Sequence, residues 1–396
     1  MRVAPLFAFA AALATSLVAA TDASAQYPVA GLTATGRSLA ISLGSAWKVF
    51  IPDTFITRPG NVADVIVHLH GDPQTVWNNA KWANLNAIVV TANYGALSGS
   101  YQTPFSADTT LFQTALDQAL AKVRLEADIP DNLQWDQLVL SSFSAGYGGV
   151  REILKSPTYR NNIDDLVAAD SLYASTDPVD KTPMDSQMVD YKTFALAAKN
   201  GQKTFLLSHS KVLTGSYENT IETADELMQY LGISPTAYSA TGLGTLSYYR
   251  KAQAGNFRIW GANGATADDH SAHLRYIGDF FEQLPIAKLI PGDFNLSGSV
   301  DTADYILWRK KNGGSALPND GGITPGVTNA ADYTYWRSRY GAVFTPAINT
   351  AGGLSDVTTI PEPATLFQFV LAAVAAITFF SGHRKRSSRA AAVQMT

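Results

Sequence analysis

Gln137-Leu138-Val139-Leu140, followed by Ser142-Phe143-Ser144-Ala145-Gly146 and the stretch Gly148 to Lys155, decides how this chain is read. The apolar run reads as a buried strand, residues 148–155 read as a helix, and small residues crowd the corner between them. Strand, sharp turn and helix is the setting of a nucleophile elbow, where a strained turn lifts one hydroxyl clear of the backbone. Small neighbours two positions either side keep strand and helix from clashing. The N–H after the serine and the helix N-terminus both face any negative charge that develops there. Ser144 is therefore the candidate reacting group. The usual pattern is G-x-S-x-G, and Ser142 replaces its first glycine. A serine-glycine turn after any buried strand is the plain structural alternative.

Working outward, residues 38 to 284 alternate strand-like and helical stretches, which reads as an α/β sheet with helices on its faces. Strands are expected at Ser38–Leu43, Trp47–Ile51, Asp64–His68, Ala87–Thr91, Gln137–Leu140, Asp165–Ala169, Lys203–Ser208 and Asn256–Trp260. Helices are expected at Asp108–Glu126, Gly148–Lys155, Ile221–Leu231 and Ala272–Leu284. Val65-Ile66-Val67 and Ile88-Val89-Val90 are too apolar for an edge and suit the middle of a sheet. Residues 177–200 read as an insertion over the top of the sheet.

Three further stretches stand where the elbow needs them. His68-Leu69-His70-Gly71 ends a buried strand, and the loop after it is placed to offer an oxyanion donor near Gly71, opposite the N–H of Ala145. The histidines there orient the loop, His70 ahead of His68. A general base must come later, and Asp269-His270-Ser271-Ala272-His273 supplies two imidazoles; His273 is preferred because it opens the run to Ile277, with His270 in reserve. For the carboxylate, Asp170 lies just beyond the strand after the elbow, with Glu218 and Asp225 as downstream alternatives. One strand later the chain has Ser208-His209-Ser210 instead.

Ser144, Asp170 and His273 follow the chain order Ser…Asp…His, and over about 240 residues the sequence resembles the α/β-hydrolase superfamily, serine esterases in particular. The resemblance implies a mostly parallel central sheet with helices on both faces. It also implies an acyl-enzyme route with no catalytic cofactor, acting on an ester or acylated carbohydrate. A rival reading takes His68, His70 and Asp72, with His209 or His270, as a metallohydrolase site. Another takes the chain as a non-catalytic surface or matrix-binding protein on the same fold.

Composition narrows the field. Of 396 residues, 46% are hydrophobic and 16% charged, enough to bury a large core. A net charge of −4 without a basic, aromatic-interleaved stripe argues against nucleic acid as a partner. The absence of cysteine removes disulfides and thiolate chemistry together. Met1-Arg2, the apolar stretch Leu6 to Ala20 and Ala23-Ser24-Ala25 read as a secretory signal peptide over residues 1–25. At the other end, Ile360-Pro361-Glu362-Pro363 precedes an apolar run from Leu366 to Phe380 and the basic cluster Arg384-Lys385-Arg386. Residues 360–390 resemble the PEP-CTERM sorting signal, whose transmembrane segment implies export, membrane retention and processing by an exosortase-type enzyme. The expected location is the surface, outer membrane or matrix of a Gram-negative-type bacterium.

Between body and tail lies a repeat: Asp304-Tyr305-Ile306-Leu307-Trp308-Arg309 is echoed by Asp332-Tyr333-Thr334-Tyr335-Trp336-Arg337. Before the first copy, Asp293, Asn295, Ser297, Ser299 and Asp304 take positions 1, 3, 5, 7 and 12 of a loop with Gly298 at the sharp turn, a spacing that suits calcium. The loop resembles the dockerin type I repeat, which implies a cohesin-like partner. The second copy has Gly321, Ile323 and Pro325 at positions 1, 3 and 5 and carries no such ligands. The expected order is thus a hydrolase-like domain over 26–290, a repeat module over 291–342, a linker over 343–359 and the tail.

Overall fold

The computed structural model describes residues 32–343 except 96, 321–323 and 325. The expected signal peptide, the linker beyond 343, the expected sorting tail and four loop positions of the second repeat lie outside the described residues. Ten strands form one sheet: Gly36–Leu39 (β1), Trp47–Pro52 (β2), Val62–Leu69 (β3), Ala87–Ala92 (β4), Gln134–Phe143 (β5), Asp165–Ala169 (β6), Thr204–His209 (β7), Thr236–Thr241 (β8), Ser247–Ala254 (β9) and Phe257–Ala262 (β10). Their order is β1-β2-β4-β3-β5-β6-β7-β10-β9-β8. The six central strands, β4 through β10, run parallel, and antiparallel pairs close both edges. The result is the expected α/β arrangement with a mostly parallel central sheet.

Burial explains why the central strands read as continuous apolar runs. Val65, Val67, Ile88, Val90 and Leu140 enter the core on one face, while Ile66, Val89, Val139 and Val167 enter the core on the other. A strand covered on both faces loses the polar alternation of a half-exposed one. Seven of the eight strands expected from sequence occur with shifts of at most three residues at their ends, while the first, expected at Ser38–Leu43, is Gly36–Leu39. Two were missed: β8 is largely exposed, and β9 carries Arg250, Lys251 and Gln253 among its buried Tyr248 and Ala252. A polar edge hairpin gives little hydrophobic signal.

Two helical expectations are corrected. Residues 177–200 are not an insertion over the sheet: Asp185–Lys199 is a helix between β6 and β7 that buries Met188, Tyr191, Phe194, Ala195 and Ala198 in the core. The single helix expected over Ala272–Leu284 is two, Ala267–Arg275 and Gly278–Phe281. The first starts early because Thr266 caps it. The Thr266 hydroxyl accepts from the Asp269 N–H and the Asp269 carboxylate accepts from the Thr266 N–H, a capping box the serial polar residues had obscured.

The repeat module has its own small core of Ile290, Phe294, Val300, Leu317 and Trp336. Its helices, Thr302–Lys311 and Ala330–Arg337, each begin with a capping box, from Asp301 with Asp304 and from Asn329 with Asp332. Among the described residues no helix is long and apolar enough to cross a membrane; the run from 366 to 380 is not among them.

The corner after β5 tolerates no side chain at Gly146, where a Cβ would lie 2.2 Å from the Leu69 carbonyl oxygen of β3. Gly146→Ala is expected to destabilise the protein by about 1–3 kcal/mol through this overpacking. Denaturant unfolding measures it, and an unchanged midpoint would mean that the corner relaxes freely.

Candidate active site

Ser144 sits at φ 45°, a left-handed backbone that a non-glycine residue adopts only under constraint. It ends β5 and opens a short 3₁₀ turn, Ser144–Gly146, that feeds the helix Tyr147–Lys155. The constraint is visible: the Ser171 hydroxyl donates to the Ser144 carbonyl (2.9 Å) and shares a hydrogen bond with the Ser142 hydroxyl (2.8 Å). Ser142 therefore fits where the usual pattern has glycine because Ser171 takes up its hydroxyl.

Asp170 follows β6 and is also left-handed, at φ 44°. Its carboxylate is fully buried and accepts from the Ser210 N–H (2.9 Å), the Thr220 hydroxyl (2.5 Å) and His270 Nδ1 (2.6 Å). His270 Nε2 lies 2.8 Å from Ser144 Oγ. The three side chains make one continuous line, and the ring in it is His270, not the preferred His273. The helix beginning at Ala267 places both histidines on one face, three residues apart. His270 meets the serine; His273 lies deeper, wholly buried, with Nδ1 2.8 Å from Ser208 Oγ and its ring stacked on Phe280.

Burial works against the Asp170 charge, but the His273 and His270 rings and the hydrogen bonds from His270 and Thr220 outweigh it and hold the carboxyl far below the usual range. Burial pushes His273 down to about 4 and His68 to about 3, so both rings are neutral near pH 7. An ionised Asp170 accepting from His270 Nδ1–H fixes the tautomer that leaves Nε2 free to take the Ser144 proton.

Gly71 and Ala145, the expected oxyanion donors, flank this line on the loop after β3 and on the turn after Ser144. Ala145 is in the first turn of a helical segment, whose N–H groups have no intrahelical acceptor. Gly71 has φ 120°, and a Cβ there would strike Leu274 at 2.6 Å, so the helix bearing His270 packs directly on the loop. His70 is left-handed too, at φ 75°, and hydrogen-bonds Tyr101 while its ring stacks on Phe143.

The other sequence candidates are used elsewhere. His68 bonds Ser141 and the His70 carbonyl, and Asp72 caps the helix Pro73–Trp82, so the three do not converge as a metallohydrolase set. His209 bonds the Ser210 carbonyl and accepts from Arg250. Glu218 accepts from the Thr176 hydroxyl, and Asp225 pairs with Arg250 at 2.8 Å. Sequence reasoning missed Ser171, Ser210 and Thr220, which hold the elbow and the acid; lone hydroxyls carry no periodic signal.

In the repeat module, Asp293 and Asp304 are both buried. Asp293 accepts from the N–H groups of Ser297 and Gly298, and Asp304 from those of Asn295 and Asp301. Burial, with the Asp304 charge adding to it, pushes Asp293 up to about 6. Asn295 Oδ1 and the Ser299 carbonyl face the same loop through Ser297. Two buried carboxylates with neutral oxygens around them suit one hard cation, although among the described residues no three His, Cys, Asp or Glu side chains gather into a metal-holding group. Asp332, the counterpart of Asp304, instead accepts from the Thr324 hydroxyl at 2.7 and 2.6 Å.

No protein-family model and no curated protein matches the chain. Solved structures do match over about two thirds of it. One is a dienelactone hydrolase-like promiscuous phosphotriesterase from metagenomic libraries, at 10% identity and TM-score 0.34, covering 64% of this chain and 99% of that one. Another is a truncated carbohydrate esterase from gut microbiota, at 10% identity and TM-score 0.37, covering 65% and 99%. A third is a dienelactone hydrolase from Anabaena variabilis, at 9% identity and TM-score 0.32, covering 63% and 96%.

The buried ring makes a testable contrast. His273 has its folded value below the unfolded one, so its share of stability is complete above about pH 6.5 and is lost as pH falls toward 4. Its ring resonances are expected not to titrate between pH 8 and 5, whereas a titration midpoint near 6.5 would show an open, solvated site.

Proposed function

We propose that the protein is a serine hydrolase acting on carboxylic esters, with Ser144 as nucleophile, His270 as general base and acid, and Asp170 orienting the imidazole. The observation that carries this reading is the unbroken line Asp170–His270–Ser144 at 2.6 and 2.8 Å. His270 Nε2 takes the hydroxyl proton as Ser144 Oγ attacks the ester carbonyl, and the N–H groups of Ala145 and Gly71 take up the oxyanion. The protonated ring then donates to the leaving alcohol. Water, activated by the same nitrogen, attacks the acyl-enzyme and frees Ser144. Ser144 is 9% exposed, so its side chain is enclosed almost wholly by protein.

The signal-peptide and sorting-tail sequences support an exported enzyme held at the cell surface until its tail is processed. The loop from Asp293 to Asp304 supports one structural calcium held by Asp293, Asn295, Ser297, Ser299 and Asp304, remote in role from the chemistry. With the second repeat lacking those ligands, the module serves better as a calcium-stabilised spacer than as a symmetric docking pair.

A fluorophosphonate is expected to label wild type at Ser144. Ser144→Ala abolishes labelling, and His270→Ala or Asp170→Asn lowers turnover of a short-chain ester by about 10⁴-fold, far more than His273→Gln. Folded protein that neither labels nor turns over esters would sink the reading. For calcium, titrating the ion into chelator-treated protein at about 100 times the dissociation constant should stabilise the module by about 2.7 kcal/mol. Asp304→Ala should remove that gain, and no shift in unfolding with calcium would rule the site out.

A further inference from the structure

We propose that Tyr147, Tyr173 and Tyr217 form a subsite beside Ser144 that takes the flat ring of an aryl-bearing acyl group. The inference rests on the ester-hydrolase reading of Ser144 and deepens it to a substrate class. Tyr147 lies three residues beyond the nucleophile in the first turn of its helix, and Tyr173 three residues beyond the acid. Tyr217 is in the loop after β7, just before the Thr220 that bonds Asp170. All three thus stand at the carboxyl ends of parallel strands, where ligands of open α/β sheets bind.

The rings make a ladder. Tyr147 and Tyr173 are 5.2 Å apart at 50°, and Tyr173 and Tyr217 are 5.8 Å apart at 69°. Such tilted and edge-on pairs set the negative face of one ring against the positive edge of the next, and an incoming arene extends that pattern in a way an alkyl chain does not. Tyr217, at one end of the ladder, remains 40% exposed.

The ladder is held in place by its backbone. Ala174 and Glu218 exchange N–H and carbonyl hydrogen bonds at 2.8 and 3.4 Å, which fixes Tyr173 beside Tyr217. The Thr223 hydroxyl donates to the Leu172 carbonyl (2.7 Å), and the Thr214 hydroxyl to that of Tyr217. Tyr147 spends its hydroxyl on Ser98 at 3.1 Å, while that of Tyr173 has no partner among the described residues and suits a polar substituent on the bound ring. Glu218, on the same loop as Tyr217, is engaged by the Thr176 hydroxyl, and the Arg151 guanidinium lies 4.9 Å over the Tyr147 ring, which leaves Tyr173 and Tyr217 as the ring faces open to a ligand.

The test uses the full chain carrying Ser144→Ala, which binds without turnover, with methyl 3-phenylpropanoate and methyl nonanoate as probes of equal carbon count. The phenyl ester is expected to bind about tenfold more tightly, and adding Tyr217→Ala to bring the ratio near one, with Tyr217→Phe retaining it. Equal affinities, or a preference that survives Tyr217→Ala, overturns the subsite. The wild-type chain separates the two readings. Ester turnover without arene preference leaves the hydrolase and removes the subsite, whereas arene binding without turnover or Ser144 labelling does the reverse.

Discussion

The hydrogen-bonded line from Asp170 through His270 to Ser144 ties together the ends of two neighbouring strands and a helix that follows a third. Its members are separated by 26 and 100 residues, so only the sheet register brings them within reach. Holding it has a cost. Ser144 and Asp170 both adopt the left-handed backbone that L-residues avoid, at roughly 1–2 kcal/mol each. The surrounding hydroxyls and amides over-determine both positions: Ser171 grips the elbow, while Ser210 and Thr220 grip the acid. Backbone strain of this kind persists only where the surrounding structure over-determines it, and it clusters at functional sites in proteins generally.

The packing around that line leaves it little freedom. Gly146 lies against the Leu69 carbonyl and Gly71 against the Leu274 side chain, so the turn at Ser144, the loop after β3 and the helix bearing His270 are packed closely on one another. Ser208 hydrogen-bonds both the Asp170 N–H and His273 Nδ1, and the buried His273 ring stacks on Phe280. A carboxylate so enclosed stays charged because its hydrogen-bond donors take the place of solvent.

The two halves of the repeat build on one framework. Both helices start with the same capping box, and aromatic side chains from both, Tyr305, Trp308, Tyr333 and Trp336, pack between them. In the first loop the buried Asp293 and Asp304 each accept from two backbone N–H groups. In the second, Asp332 accepts from the Thr324 hydroxyl.

The sequence by itself determined the alternation of strand and helix, the apolar centre of the sheet, the strand–turn–helix at Ser144 and the place of Asp170 at a strand end. These are local signals: strand periodicity, small residues at a turn, and a polar residue at the end of an apolar run. It left His270 and His273 both open, since each follows the last parallel strand and nothing in a run of polar residues marks which ring faces inward. Thr266 decided it by capping the helix five residues ahead of the expected start, which turned His270 to the serine and His273 into the core. The hairpin of β8 and β9 was hidden for the opposite reason, because an exposed edge needs no apolar pattern. Ser171, Ser210, Thr220 and the tyrosine ladder were likewise invisible: their roles depend on contacts across dozens of residues, and only tertiary packing brings a hydroxyl or a ring to the atom it serves.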